Sequence, residues 1–331
     1  MRIVLDAMGS DSHPIPEIQA TLRAVEKFGD DIFLVGQKDV INPLLENQIG
    51  FNKVHVIHAP EVLEMTDKPS RAARKKAQNS MAIGMDLIKT GEADAFVTAG
   101  NTGGAMTNAL FRLGRIKGVK RPALTTLFPV SGGHTVVLDI GANADCKPEY
   151  LLQFAIMGSI YSKSVLSINN PRVGLLSNGE ESGKGNALIL KTYPLLKNSK
   201  INFVGNIEPK ELFEGRVDVA ITDGFTGNVL LKTSEAVAKL LIDIIRKELT
   251  SNLLVSLGAL LTKPAFANVK KIMDPGEVGA APLLGIDGLI FVGHGRSDSH
   301  ALFNAIKIAR QAVDANLLES LQNGIRTKLV G

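Results

Sequence analysis

A short apolar run that ends in a glycine-rich turn and continues as a helix constrains this chain more than any other stretch. Residues 94–110 read Asp-Ala-Phe-Val-Thr-Ala-Gly-Asn-Thr-Gly-Gly-Ala-Met-Thr-Asn-Ala-Leu. The pattern predicts a buried strand over 95–98, a tight turn over 100–104 and a helix from Ala105 onward. Unpaired N–H groups and the dipole at such a helix start favour a bound anion. The alternative is a turn that needs glycine only for its backbone angles.

A second copy of this pattern occurs at 218–228, where the chain reads Asp-Val-Ala-Ile-Thr-Asp-Gly-Phe-Thr-Gly-Asn. The aligned pairs are Asp94 with Asp218, Thr98 with Thr222, Gly100 with Gly224, Thr102 with Thr226, and Gly103 with Gly227. Either an old duplication or convergence of two turns explains the match. In both cases we expect the two helices to begin at the same edge of a parallel sheet, where α/β proteins bind ligands.

Short β-rich runs alternate with helical segments along the chain. We predict strands over 3–5, 32–35, 54–57, 135–140 and 173–176, and helices ending near Phe28, beginning at Pro148 and running from about Asn228 to Leu249. This alternation predicts an α/β fold, a parallel-rich sheet with helices on both faces. With 331 residues, of which 45% are hydrophobic, the chain can bury a full core. We expect one α/β unit over 1–331, built as one or two lobes.

Composition excludes several classes of protein. Lys and Arg total 37 against 33 Asp and Glu, a net charge of +4 that gives no global field for nucleic acid. The one cysteine, Cys146, excludes an internal disulfide and favours a reducing compartment; we expect it to be a buried structural thiol rather than a nucleophile. The apolar run near Met1 is too short for a signal peptide, and no apolar stretch reaches the ~18 residues of a membrane span. We therefore expect a cytoplasmic protein that is at most peripheral to the membrane.

Basic residues cluster in the segment 68–76, Lys-Pro-Ser-Arg-Ala-Ala-Arg-Lys-Lys. Arg71, Arg74, Lys75 and Lys76 are predicted to open a helix that runs to about Lys89. Because cations at a helix N-terminus oppose the dipole, an anionic ligand or an acidic partner would explain them. A solvated helix face is the alternative.

Two polar loops follow predicted strands. The loop 177–186 lacks the Walker pattern, since three residues separate Gly179 from Gly183 and Gly185 follows Lys184. It leaves Lys184 free to neutralise a phosphate. His294 lies in a glycine turn after the last predicted strand, as a site residue or as a structural histidine. The chain has no GxGxxG, HExxH or GxSxG pattern.

The segment 250–273 is predicted to form a protruding apolar helix. Leu253, Leu254, Leu257 and Leu260 could lie in a membrane interface, with lysines near acidic headgroups. A subunit interface or a core helix explains the same leucines and fits the periodicity better.

Together these motifs resemble the PlsX family, the bacterial phosphate acyltransferases that make acyl phosphates for phospholipid synthesis. The matching segments are 6–9 with Asp11 and Pro14, 68–81, 99–103, 138–146, 178–181 with 184–186, 204–208, 223–228, and 281–285 with 294–295. Each motif is weak alone, but their joint order along nearly the whole chain is specific. Ser10 and Asn79 depart from the Gly and Ser of the family pattern, and neither change removes a group assigned here to chemistry.

The resemblance implies a fold similar to isocitrate and isopropylmalate dehydrogenases and to phosphotransacetylase, usually as a homodimer. It implies that acyl carrier protein thioester and inorganic phosphate react to acyl phosphate and free carrier, with no cofactor. Phosphate is already an anionic nucleophile, so the site needs to hold and orient it and to stabilise the oxyanion.

From these requirements we predict the roles of individual residues. Lys184, Asn228 and His294 are the predicted catalytic residues. The predicted substrate- or phosphate-binding residues are Asp6, Gly100, Asn101, Thr102, Gly103, Gly104, Asn186, Asp223, Gly224, Thr226 and Gly227. Arg71, Arg74, Lys75 and Lys76 are predicted to bind the acidic carrier protein, and no metal site is predicted.

Two other classes of function remain open. One is another enzyme on the same fold, either a phosphotransacetylase that uses a coenzyme A thioester or a decarboxylating dehydrogenase. The other is a non-enzymatic membrane scaffold that works through residues 253–261.

Overall fold

The computed structural model describes residues 1–46, 51–251 and 253–329, without the side chains of residues 51, 253, 254, 257, 270, 328 and 329. Within these residues, eleven strands form one sheet. The strands are β1 (Arg2–Asp6), β2 (Asp31–Gly36), β3 (Val54–His58), β4 (Ala95–Thr98), β5 (Ala123–Val130), β6 (Gly133–Leu138), β7 (Val173–Leu176), β8 (Phe203–Ile207), β9 (Val219–Ile221), β10 (Ala281–Leu284) and β11 (Ile290–Val292). Their order across the sheet is β3-β2-β1-β4-β11-β10-β5-β6-β9-β7-β8.

Helices cover both faces of this sheet. They are α1 (Ile15–Phe28), α2 (Lys38–Leu45), α3 (Pro69–Lys75), α4 (Ser80–Lys89), α5 (Thr102–Arg112), α6 (Pro148–Val165), α7 (Ala187–Lys197), α8 (Pro209–Phe213), α9 (Gly224–Leu249), α10 (Leu253–Met273), α11 (Pro275–Val278), α12 (Ser299–Asp314) and α13 (Leu317–Leu329). Because successive strand residues point to opposite faces, Ile3 and Leu5 of β1 pack into the core cluster that contains Ile18 of α1. Val4 packs into the other cluster with Met81 of α4. The predicted α/β fold with a parallel-rich sheet and helices on both faces is confirmed.

The sheet consists of two parallel groups that run in opposite directions. β3, β2, β1, β4 and β11 are parallel, and so are β6, β9, β7 and β8. β10 and β5 lie between the groups and pair antiparallel with their neighbours, which reverses the direction. The expectation that both glycine turns lie at one edge of a parallel sheet is therefore wrong.

The register nevertheless brings the carboxyl ends of the two groups to the same height. Ile221 of β9 pairs with Leu138, which pairs with Thr125 of β5. Leu124 of β5 pairs with Leu283 of β10, so the next residue, Thr125, lies opposite Pro282. Pro282 pairs with Phe291 of β11, and Phe291 pairs with Val97 of β4. Since β4 and β9 end at this common level from opposite directions, α5 and α9 both begin near the middle of the molecule.

Helix boundaries differ from the predicted ones in three places. α5 begins at Thr102 instead of Ala105, and α9 begins at Gly224 instead of Asn228, so Gly103, Gly104, Gly224 and Gly227 lie in the first helical turns, whereas Gly100 precedes α5. The helix predicted to run from the basic cluster to Lys89 is two helices, α3 and α4. The side-chain oxygen of Asn79 accepts a hydrogen bond from the backbone N–H of Ala82 and caps the second one.

The segment predicted to protrude is the long helix α10, which follows α9. The Leu260 side chain is 65% exposed, whereas the side chains of Leu253, Leu254 and Leu257 lie outside the described residues. Among the described helices, none has the length and hydropathy required to cross a bilayer.

Candidate active site

A cavity of about 560 Å³ lies where the β4–α5 turn, the start of α9 and the loop after β11 approach one another. Three predicted site residues from distant parts of the chain, Thr102, Asn228 and His294, line this cavity together. Gly141 lies beside Asn228, and a Cβ on this glycine would be 3.9 Å from the Asn228 side chain. Much of its wall is apolar, but because these polar side chains meet at it, we call this space the polar cavity.

The half-buried carboxylate of Glu235 lies close to three basic side chains at the wall of the polar cavity. Glu235 of α9 has one oxygen 3.4 Å from Nζ of Lys232 and 3.7 Å from a terminal guanidinium nitrogen of Arg296. Its other oxygen, Oε1, lies 3.5 Å from Nε2 of His294. His294 is the main cause that lowers the pKa of Glu235, and Lys232 adds to it against the opposing effect of burial. Glu235 therefore holds a negative charge at neutral pH.

Sequence reasoning missed Lys232, Glu235 and Arg296. A signal for the first two existed, because Asn228, Lys232 and Glu235 follow one another at helical spacings of four and three residues and so share one face of α9. Nothing local indicated that this face would meet the loop that carries His294 and Arg296.

The start of α5 keeps unpaired backbone donors. The side-chain oxygen of Asn101 caps the helix by accepting from the N–H of Gly104 at 2.9 Å. Its amide nitrogen donates to the carbonyl of Met65 at 3.0 Å, so both ends of this side chain are engaged. Thr102 and Gly103 occupy the first two helical positions, where an N–H has no acceptor within the helix. Because Asn101 is uncharged, this N-terminus remains attractive to an anion, but the Asn101 side chain is not a free oxyanion donor.

The start of α9 is already occupied by a carboxylate. Asp223 accepts from the backbone N–H and the hydroxyl of Thr226, both at 2.8 Å. The N–H of Gly224 donates to the carbonyl of Asn143, and that of Gly227 to the carbonyl of Asp223. Gly224, Thr226 and Gly227 were predicted to bind substrate or phosphate, but their N–H groups are paired within the protein and are not free donors for an anion. Asn228 keeps its side chain at the polar cavity.

Several motif glycines are required by close packing. A Cβ on Gly103 would meet Cγ of Pro69 at 2.5 Å, and one on Gly224 would meet the carbonyl oxygen of Asn143 at 2.6 Å. On Gly100 the nearest atom would be the end of the flexible Met81 side chain. Positions 103 and 224 thus require glycine because other parts of the protein pack closely against them. The sequence alone did not distinguish this reason from the close approach of a ligand.

Asp6 supports the β4–α5 turn from below. It is fully buried and accepts from the Thr98 hydroxyl at 2.7 Å and from the N–H of Met8. The Thr98 hydroxyl oxygen in turn accepts from the N–H of Gly100 at 2.9 Å. Burial raises the pKa of Asp6, against these hydrogen bonds. With no surface open to a ligand, Asp6 is a structural support here and not the direct substrate contact that was predicted.

A second cavity, of about 840 Å³, lies on the other side of α9 and is mostly apolar. Its apolar lining includes Leu176, Ile189, Val229, Val237 and Leu241. It shares Phe213, Ser234, Ala238 and Met273 with the polar cavity, so the two spaces adjoin. We call it the apolar cavity.

Other predicted site residues border the apolar cavity. Asp223, Thr226 and Asn186 line it, and Asn186 caps α7 by accepting from the N–H groups of Leu188 and Ile189. Lys184 is exposed on the β7–α7 loop and lines neither cavity, although the next residue, Gly185, lines the apolar one. Lys184 is therefore not part of the wall that Asn228 and His294 share.

Cys146 is half-buried rather than fully buried, and its surroundings disfavour the reactive thiolate. Burial is the main cause that raises its pKa to about 12, and the charge of Asp139 adds to it. The thiol donates a weak hydrogen bond to the carbonyl of Asn143. A thiol with this pKa is not a nucleophile at neutral pH. In the part of the chain that the structure describes, no group of three His, Cys, Asp or Glu side chains is arranged for a metal ion.

The basic cluster of residues 71–76 does not begin a long helix. α3 ends at Lys75, so Arg74 and Lys75 lie in its last turn, where cations favour the dipole. The dipole argument for an anionic partner is therefore wrong for Arg74 and Lys75, whereas Arg71 does lie in the first turn of α3. Lys76 donates to Asp67 at 2.6 Å and to the carbonyl of Val62, while Arg71, Arg74 and Lys75 are exposed.

Known proteins similar to this chain match it over almost its whole length. A family model described as "Fatty acid synthesis protein" matches residues 1–320. A phosphate acyltransferase of Elusimicrobium minutum is 47% identical over 328 residues, which are 98% of this chain and 96% of the relative. A phosphate acyltransferase of Pelotomaculum thermopropionicum is 46% identical over 327 residues, 99% of this chain and 96% of the relative.

Solved structures show the same fold at low sequence identity. A phosphotransacetylase from Streptococcus pyogenes superposes with a TM-score of 0.63 at 16% identity, covering 95% of this chain and 94% of that one. A phosphotransacetylase from Staphylococcus aureus gives 0.61 at 14% identity with the same coverage. A putative 4-hydroxythreonine-4-phosphate dehydrogenase from Salmonella typhimurium gives 0.55 at 14% identity, over 94% and 98% of the chains.

Proposed function

Because this chain belongs to the fatty acid synthesis protein family and is a phosphate acyltransferase, we propose that it transfers a fatty acyl group from acyl carrier protein to inorganic phosphate. A phosphate oxygen attacks the thioester carbonyl and the carbon–sulfur bond breaks. The phosphate proton passes to the departing sulfur. The products are acyl phosphate, used for phospholipid synthesis, and the free thiol of the carrier.

The observation that carries this proposal is the adjoining pair of cavities. The polar cavity has Lys232, His294 and Arg296 in or beside its wall and the N-terminus of α5 at its edge. The apolar cavity shares part of that wall through Phe213 and Met273. An anionic nucleophile and a long acyl chain require two such environments side by side.

In this proposal phosphate binds in the polar cavity. The unpaired N–H groups of Thr102 and Gly103 and the cationic side chains compensate its charge, so that it can approach an electron-rich carbonyl. The side chains of Asn228 and His294 stabilise the oxyanion that forms on the thioester oxygen. Lys184 remains a proposed catalytic residue that reaches the thioester or phosphate from its exposed loop.

The acyl chain occupies the apolar cavity in this proposal. Each buried methylene contributes about 0.8 kcal/mol to binding before the cost of ordering the chain. The side chains of Val229 and Val237 on α9 and of Leu176 at the end of β7 would form its walls.

The carrier protein is proposed to dock on Arg71, Arg74 and Lys75. These side chains are exposed, and carrier proteins of this kind are acidic, so opposite charge would steer association. Lys76 contributes less, because Asp67 already compensates its charge.

A homodimer and a peripheral membrane contact complete the proposal, with the enzyme working in the cytoplasm. α9 exposes Leu240 and Ile244, which line neither cavity and form an apolar surface suited to a second copy. Leu260 and Leu261 on α10 are exposed as well and are the described candidates for membrane contact. Flotation with liposomes, comparing Leu260→Glu with the parent chain, separates the two roles, because a dimer defect would also change the mass in solution.

The decisive experiment is an acyl transfer assay with palmitoyl carrier protein and inorganic phosphate. Acyl phosphate is trapped with hydroxylamine, and the free carrier thiol is counted. Phosphate-dependent release of both in equal amounts is expected. Transfer from acyl coenzyme A but not from the carrier would replace the proposal by phosphotransacetylase activity. No release from folded protein would direct attention to the dehydrogenase and scaffold alternatives.

A further inference from the structure

The position of Glu235 is unusual for a site that has to bind an anion. Its side chain is only 15% exposed and lines the polar cavity. It lies within ion-pair distance of Lys232, His294 and Arg296. Yet its Oε1 atom, which faces His294, makes no hydrogen bond of normal geometry. The carboxylate thus has two cations, Lys232 and Arg296, and the imidazole of His294 around it, while one of its oxygens lacks a hydrogen bond.

We propose that Glu235 is a positioning residue that occupies the place of phosphate among these cations and gives them up when phosphate binds. The inference rests on the proposed phosphate site. Without any anion, Lys232 and Arg296 would repel each other across the cavity wall. Glu235 holds them in place, and phosphate then exchanges with it as their partner. The reverse exchange helps the product leave, since Glu235 takes the cations back.

The elements around Glu235 support exchange over a purely structural ion pair. The Lys232 and Arg296 side chains are exposed, so they can move toward a ligand without crossing packed atoms. The contacts of 3.4 to 3.7 Å are long for charge-assisted hydrogen bonds, which are usually about 2.7–2.9 Å. By contrast, the Arg172–Asp218 pair elsewhere in the molecule is closed at 2.9 Å and backed by two further hydrogen bonds between the same residues.

This proposal predicts the sign of a mutational effect. Glu235→Gln removes the competing charge and keeps the shape of the side chain, so inorganic phosphate should bind about tenfold more tightly. If Glu235 only held the structure together, the opposite would follow. Loss of its ion pairs would leave Lys232 and Arg296 unpositioned and would weaken phosphate binding. Glu248→Gln is the matched control: it removes one negative charge from an exposed position of the same helix, and phosphate affinity should stay unchanged.

The experiment is calorimetric titration of the full chain with inorganic phosphate, combined with the transfer assay. Tighter phosphate binding in Glu235→Gln supports the inference, and weaker or unchanged binding overturns it. If the Gln variant does not fold, Glu235→Asp decides instead, because its shorter carboxylate should compete less and also tighten binding. Failure of the parent chain both to bind phosphate and to transfer the acyl group would refute the proposed function itself. Normal transfer with weaker binding in the variant refutes only the role of Glu235.

Discussion

Gly227, in the first turn of α9, packs so closely on the backbone of Asp139 that a Cβ there would lie 1.9 Å from the Asp139 carbonyl oxygen. Backbone atoms cannot give way as the end of a flexible side chain can. The contact therefore fixes the start of α9 against the end of β6, and with it the position of Asn228, the next residue, at the polar cavity.

Gly227→Ala should destabilise the protein by about 1–3 kcal/mol or more, because the new methyl group forces the two backbones apart. Gly258→Ala is the matched control, since Gly258 also lies in a helix but has open space around it. There the substitution should raise helix stability by up to about 1 kcal/mol. Urea unfolding of both variants measures the difference, and equal effects would contradict the contact.

Glu17→Gln should stabilise the protein at neutral pH by about 1–3 kcal/mol. Glu17 is buried, its Oε1 accepts from the N–H of Ser10, and its Oε2 has no partner. Burial raises the pKa of Glu17, against hydrogen bonds from Ser10. An acid with a raised folded-state pKa contributes stability that is fully present below the unfolded-state pKa and is lost as pH rises through the folded-state value.

The advantage of Glu17→Gln should therefore shrink as the pH is lowered into the acidic range, where Glu17 becomes neutral. Unfolding free energies at neutral and mildly acidic pH measure this change. Glu26→Gln, at an exposed position on the same helix, should show no such pH dependence. A constant advantage across pH would mean that desolvation of the Glu17 charge is not the cause.

Val237→Trp should lower kcat/KM for long acyl chains at least tenfold and spare short ones, because the indole would fill part of the apolar cavity. Val237 lines that cavity, whereas its neighbour Ala236 does not. Ala236→Trp should therefore leave chain-length preference unchanged. Transfer rates over a series of acyl chain lengths test this, and an equal loss for every length would argue against an acyl chain in this space.

Reversing the charge of Arg71 and Arg74 together should raise KM for the carrier thioester several-fold and leave KM for phosphate unchanged. Both side chains are exposed, and opposite charge acts mainly on the association step. The effect should fade at high ionic strength. Changing Lys197 and Lys200, two other exposed lysines, to Glu is the control. If both double variants behave alike, the cluster is only a solvated surface.

Lys184→Ala should lower kcat/KM at least tenfold if Lys184 neutralises charge on phosphate or thioester during transfer. Lys191→Ala removes an exposed lysine from the adjacent helix α7 and should have no effect. Steady-state kinetics with both substrates varied will show which KM changes. Full activity with an unchanged phosphate KM would remove Lys184 from the catalytic residues, in keeping with its absence from the lining of the polar cavity.

Much of the local structure was predictable because local patterns encode it. Strand β4, the turn after it and the helix that follows can be recognised from the spacing of apolar residues and the glycines between them. The caps were not predicted: Asn101 and Asp223 were assigned only to ligand binding, and the structure shows that each caps a helix. The effect of each cap was not predicted either. The uncharged side chain of Asn101 leaves the start of α5 attractive to an anion, whereas the carboxylate of Asp223 already occupies the start of α9.

The amino-acid sequence by itself determined the alternation of strands and helices, the two glycine turns and the family. Only the tertiary structure decided that the two turns approach from opposite directions, because that depends on the antiparallel pairing of β5 with β10, a strand far away in sequence, in addition to the local hairpin of β5 with β6. It also decided that Glu235 of α9 meets His294 and Arg296 of the last loop. Such a contact follows from the register of the whole sheet and from the packing of α9 across it, and no short stretch of sequence encodes either.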